Sequence, residues 1–125
     1  MTVAKSRVIS VVDDDEPVRD SMRLLLESCG FTVRDYSSAT QFLEDREALK
    51  CCCLVLDLHM PGMSGMELAE LLRERGADVP TLLITGKGDP GLQERITHAS
   101  ILTTLHKPVR EDVLIQWIEE ACAAA

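Results

Sequence analysis

Three aspartates, a threonine and a lysine stand where strand-like runs of this sequence stop. Asp13 and Asp14 follow VISVV, Asp57 lies at the end of CCLVLD, Thr85 closes TLLIT, and Lys107 follows ILTTLH. Carboxylates crowded into one place repel each other, and a hard divalent cation with oxygen ligands relieves that repulsion. Mg2+ is the expected ion, with Asp13, Asp14 and Asp57 around it. Shielded in this way, the Asp57 carboxylate can act as a nucleophile towards a phosphoryl group. The charge on the transferring oxygens then needs donors. The Thr85 hydroxyl and the Lys107 ammonium supply them, and Gly86 leaves room beside the threonine.

These side chains meet only if the strands that carry them end at one rim. Residues 8–12 are a β-branched run stopped by acids, followed by a helical pattern over 17–29 with Pro17 in its first turn and Gly30 at its end. Strand and helix then alternate. A strand over 31–36 leads to a helix running from a Ser38/Gln41 capping box to about 49, then to a strongly apolar strand over 52–58. A helix runs from a Ser64/Glu67 capping box to Gly76, before a strand over 81–85. A polar helix over 91–100, a strand over 101–106 and a last helix with Val113, Leu114, Trp117, Ile118 and Ala121 on one side complete the series.

Crossovers between parallel strands are right-handed and cover both faces of a sheet. The expected fold is therefore a doubly wound α/β sandwich of three layers, with five parallel strands and five helices. VISVV, CCLVL and TLLIT are the most apolar strands, which places the first, third and fourth centrally and the more polar second and fifth near the edges. The order 2-1-3-4-5 satisfies this pattern. Its switch point lies between the first and third strands, where ligands bind beyond the strands' carboxyl ends.

A chain of 125 residues that is 46% hydrophobic can bury one core without staples, so one domain over 1–125 is expected. No stretch reaches the roughly 18 to 20 apolar residues of a membrane helix, and a soluble cytoplasmic protein is expected. The net charge of −8, without a basic stripe, argues against direct nucleic-acid binding by this segment. Five cysteines, three of them consecutive at 51–53 and with no secretion signal before them, read as reduced thiols rather than a disulfide framework. His59, His98 and His106 lack zinc-type spacing, so their side chains are expected to be solvent-facing or incidental. Asp15 and Glu16 fit partners of a helix dipole, and Trp117 fits helix core better than a partner-binding stripe.

The blocks VVDDDEPVR, LVLDLHMPGMSGMEL, LLITGKGD and HKP stand in order along essentially the whole chain. They resemble the four motif blocks of response regulator receiver domains of two-component signalling, with the closest look to the FixJ and NarL class of transcription regulators. The resemblance implies that Asp57 takes a phosphoryl group from a sensor histidine kinase or a small acyl phosphate, and that the domain catalyses its own phosphorylation and slow dephosphorylation. It implies Mg2+ ligation by Asp14, Asp57 and the main-chain carbonyl of His59, with Asp13 assisting partly through water, and phosphoryl binding by Thr85 and Lys107. A homodimer formed on phosphorylation through the fourth helix and fifth strand is a further implication. The output is either a separate partner or an attached DNA-binding unit, and the subfamily likeness favours the second. The likeness also implies a cis Lys107–Pro108 peptide, which the residues alone leave open to trans.

Three positions before Lys107, where many receivers carry an inward-swinging Tyr or Phe, this chain has Thr104. Activation is then expected to run through Thr85 and the loop over 86–90, or through a remodelled face. His59 and Lys87 stand where they could screen or steer the water that ends the phosphorylated state. Haloacid-dehalogenase-type phosphatases share the aspartate nucleophile and Mg2+, but they need a second aspartate where this chain has His59. A flavodoxin-like binding module would need aromatics around a flavin, and aromatics are only 3% of the chain. A receiver kept only as an interaction platform is the remaining alternative, and a complete five-residue site argues against it.

Overall fold

The computed structural model describes residues 7–86 and 100–123. Strands β1 (Val8–Val12), β2 (Thr32–Tyr36), β3 (Cys53–Asp57), β4 (Thr81–Thr85) and β5 (Ile101–His106) form one parallel sheet in the order β2-β1-β3-β4-β5. Helices α1 (Glu16–Ser28), α2 (Ala39–Glu44), α3 (Gly65–Glu74) and α4 (Glu111–Ala123) flank it. The helix expected over 91–100 lies, apart from Ser100, outside the described residues, as do Lys87 and His98. No described helix is long and apolar enough to cross a membrane.

The strand order follows from burial. β1, β3 and β4 are buried along their whole length, whereas β2 and β5 are partly open. A strand covered on both faces has no place for polar side chains without partners. Alternation along the strands divides the core in two. Val12, Leu54, Leu56 and Leu83 pack with Phe42, Leu68 and Leu72 under α2 and α3. Ile9, Val11, Val55, Leu82 and Ile84 pack with Leu26, Leu114 and Ile118 under α1 and α4. Trp117 lies partly buried against this second cluster, as helix core.

Local chemistry sets the helix ends. Asp15 caps α1 by accepting the Val18 amide at 3.3 Å, and Gly30 turns the chain away at φ +89°. Ser64 and Glu67 cap α3 reciprocally, as the capping box predicts. α2 departs from expectation by stopping at Glu44 rather than near 49. Asp45 takes an extended backbone because its carboxylate accepts the Tyr36 hydroxyl at 2.6 Å and the Glu47 amide at 2.9 Å. Ser38 caps Gln41 as expected, but the Gln41 side chain accepts from the Ser37 amide, so the box is not reciprocal.

The cysteines also depart from expectation. Cys52 and Cys122 are joined by a disulfide, while Cys29, Cys51 and Cys53 are free. An odd count and the lack of a secretion signal argue against an extracellular framework, but they do not report which thiols folding brings together. Here two cysteines 70 residues apart in sequence have Cα atoms 5.0 Å apart, within the range a disulfide spans.

Candidate functional site

β1 and β3 are neighbours in register, Val12 opposite Leu56, so the residues at their carboxyl ends emerge side by side. One carboxylate oxygen from each of Asp13, Asp14 and Asp57 lies within 4.8 Å of the others. Asp13 and Asp57 are buried and Asp14 is exposed. Backbone donors hold one oxygen of each buried carboxylate: Asp13 Oδ1 accepts the Asp15 amide at 2.9 Å, and Asp57 Oδ1 accepts the His59 amide at 3.2 Å. The other oxygens face Lys107, whose Nζ stands 3.7 Å from Asp13 Oδ2 and 3.6 Å from Asp57 Oδ2. These are ion-pair distances, longer than direct hydrogen bonds.

The lysine is aimed by its backbone. Its amide donates to Thr85 O at 2.8 Å, and the Lys107–Pro108 peptide is cis, as the resemblance implied. Arg19 secures the opposite wall by donating to the Asp13 carbonyl at 2.7 Å and pairing with Asp35 on β2 at 3.2 Å. Arg19 belongs to the VVDDDEPVR block, yet nothing in its spacing marks it as a brace.

Burial, and then the Asp13 charge, pushes the Asp57 carboxyl up to about 6, against the pull of the His59 amide and Lys107. A buried acid held away from its anionic form by another acid is a place where a cation gains binding energy. Three converging carboxylates offer the hard oxygen donors that a divalent ion such as Mg2+ takes. The residues fit that group.

Thr85 is fully buried at the end of β4, and its hydroxyl oxygen lies 3.0 Å from His59 Nε2. The His59 side chain is therefore not incidental, although the residue is exposed as expected. No sequence spacing signals a contact across 26 residues. His106 is exposed as expected. Thr104 does stand on β5, opposite Leu83, and its hydroxyl oxygen is buried with no partner among the described residues.

Two glycines differ in what they contribute. A Cβ on Gly65 would stand 2.1 Å from the Asp57 carbonyl oxygen, so only glycine lets α3 start against the end of β3. Its one sequence signal is a poor helix former at a helix start. A Cβ on Gly86 would meet only Lys107 Cδ, at an ordinary 3.6 Å, so the protein's own packing does not require glycine there. Beside Lys107 a cleft of about 580 Å3 opens between α1 and α4, lined by Val18, Met22, Leu25, Ile84, Pro108 and Leu114.

The family described as response regulator receiver domain matches residues 9–119, and the chain belongs to that family. It is thus a phosphoacceptor module of two-component signalling. It is 39% identical over 118 residues to the response regulator protein TmoT of Ectopseudomonas mendocina, covering 94% of this chain and 54% of that protein. It is 37% identical over 117 residues to the transcriptional regulatory protein FixJ of Bradyrhizobium diazoefficiens, covering 94% and 57%. A crystal structure of FixJ-N superposes with a TM-score of 0.81 at 35% identity, covering 100% of this chain and 98% of that one. The chain spans about half the length of the curated relatives it matches.

Proposed function

We propose that Asp57 is the phosphoacceptor, that Asp13, Asp14, Asp57 and the His59 carbonyl hold Mg2+, and that Thr85 and Lys107 bind the transferred group. The observation that carries this reading is the convergence of three carboxylates within 4.8 Å, with Lys107 Nζ 3.6 Å from Asp57 Oδ2. Bound Mg2+ supplies charge neutralisation for the carboxylates and for the phosphoryl oxygens. An Asp57 carboxylate oxygen attacks phosphorus, and the bond to the donor's imidazole nitrogen or acyl oxygen breaks in line. The Lys107 ammonium and the Thr85 hydroxyl donate to the equatorial oxygens, where charge accumulates.

The donor is a sensor histidine kinase, or a small acyl phosphate in its absence. The cleft beside Lys107 gives a protein donor an apolar ledge next to the acceptor. The chain acts as one cytoplasmic receiver unit and a switch, with only its own phosphorylation and dephosphorylation as chemistry. Its output is transcription regulation, in line with the name of its relative, the transcriptional regulatory protein FixJ, and we propose a DNA-binding unit as the means. Pairing of phosphorylated copies uses β5 and the helix expected before it. This segment, with a net charge of −8, does not itself bind nucleic acid.

Incubation with acetyl phosphate and Mg2+, followed by intact mass, tests the reading. Wild type gains ~80 Da, Asp57→Asn gains nothing, and a chelator abolishes the gain. An adduct that survives Asp57→Asn would move the acceptor elsewhere.

A further inference from the structure

The bond between Cys52 and Cys122 crosses from sheet to helix at the pole opposite the acidic site. Cys52 immediately precedes β3, its amide bonded to Val8 O at 2.9 Å, and Cys122 is in the last turn of α4. Five residue steps along β3 separate Cys52 from Asp57, about 16 Å at strand rise. We propose that Cys52 and Cys122 form a reversible redox modification site, a dithiol that a low-molecular-weight disulfide oxidises to a staple between the end of α4 and β3.

The surroundings select this pair. Cys53 is fully buried and Cys51 half-buried, and burial pushes both thiols up, Cys53 to about 12, so they stay protonated and unreactive. Cys29 is free and lies at the end of α1. Cys122 is half-buried, so it is the more exposed of the pair, and Cys52, 5.0 Å away between Cα atoms, is buried. In the reducing cytoplasm proposed above, a disulfide is a reversible, oxidant-dependent state rather than a permanent structural bond.

The exchange balances in two displacements. The Cys122 thiol gives its proton to solvent, and its thiolate attacks one sulfur of the small disulfide, releasing one thiolate and leaving a mixed disulfide. The Cys52 thiol likewise loses its proton, and its thiolate attacks the Cys122 sulfur, expelling the second small thiolate. The two released thiolates take up the two protons. The protein loses two hydrogens, the small disulfide becomes two thiols, and excess thiol reverses both steps.

The full chain is incubated with oxidised or reduced glutathione, its remaining thiols are alkylated, and it is mapped without reduction. Oxidation is expected to leave three alkylated cysteines and one peptide pair joining Cys52 to Cys122, lost on adding dithiothreitol and absent in Cys122→Ser. Closing a loop of this length should also raise the melting temperature of the wild type by about 5 to 10 °C over its reduced form, a comparison that needs no variant. Five alkylated cysteines after oxidation, a glutathione adduct persisting on Cys122, or a link through Cys29, Cys51 or Cys53 would overturn the proposal.

Discussion

His59 Nε2 and Thr85 Oγ1 lie 3.0 Å apart across the neighbouring ends of β3 and β4, so the hydroxyl proposed to bind a phosphoryl oxygen already has a partner. In the tautomer whose Nε2 accepts, the ring takes the Thr85 proton that an incoming phosphoryl oxygen needs, and so competes with it. Thr104 stands on β5 at the position of the expected aromatic, and among the described residues a ring, that of His59, does contact the threonine proposed to bind phosphoryl. Removing it relieves the competition by about one net hydrogen bond, ~1 kcal/mol or roughly fivefold in affinity. His59→Ala should therefore bind beryllium trifluoride, a phosphoryl mimic, about fivefold more tightly, while Mg2+ affinity measured by calorimetry stays as in wild type. Equal affinities for the mimic would mean that His59 does not restrain Thr85.

Gly65→Ala normally favours a helix, but here the sign reverses. The new methyl would stand 2.1 Å from the Asp57 carbonyl oxygen and 2.9 Å from Leu58 Cα. Either α3 or the end of β3 must move, at a cost of about 2 to 4 kcal/mol. Displacement of Asp57 should also slow labelling by acetyl phosphate about tenfold or more. A urea melt and a labelling time course check both, and wild-type behaviour in each would show that the contact is not rigid.

The Asp57 carboxyl gives stability a definite pH dependence. It titrates at about 6 in the folded chain, against roughly 3.9 when unfolded, so the folded state holds the proton more tightly. Its favourable contribution is complete below about 4 and is lost as pH rises through 6, leaving a penalty of about 3 kcal/mol at neutral pH in chelator. Asp57→Asn should be more stable than wild type by that amount at pH 7.5. The gap should close towards pH 4 and narrow when Mg2+ is added. Urea melts across this range measure it, and a gap that grows on acidification would reverse the assignment.

Thr104 carries a buried hydroxyl oxygen with no partner among the described residues. Thr104→Val keeps the shape and removes the desolvated oxygen, which should stabilise the protein by about 1 kcal/mol in thermal or urea unfolding. Neither this variant nor Thr104→Phe touches the carboxylates, so both should accept phosphate from acetyl phosphate at the wild-type extent. Loss of labelling in Thr104→Phe would show that β5 is tied to the chemistry itself.

Much of the molecule is determined within a few residues of chain and was legible there. The apolar strings VISVV, CLVLD and TLLIT demand burial on both faces, which is enough to order the sheet and place Asp13, Asp57 and Thr85 at its rim. The Ser64/Glu67 box acts over three residues and α3 starts where it says, whereas Asp15, expected only as a dipole partner, proves to be the cap that starts α1 at Glu16. Tertiary structure decided what depends on side chains far apart in sequence. Tyr36 reaches Asp45 and ends α2 early, Gly65 is required because a backbone passes 2.1 Å from its missing Cβ, His59 finds Thr85 across 26 residues, and Cys52 finds Cys122 across 70. The raised Asp57 carboxyl belongs with these, since desolvation and the Asp13 charge exist only once the strands stand together. Periodicity and caps report interactions between near neighbours, whereas these contacts come from how separate elements pack.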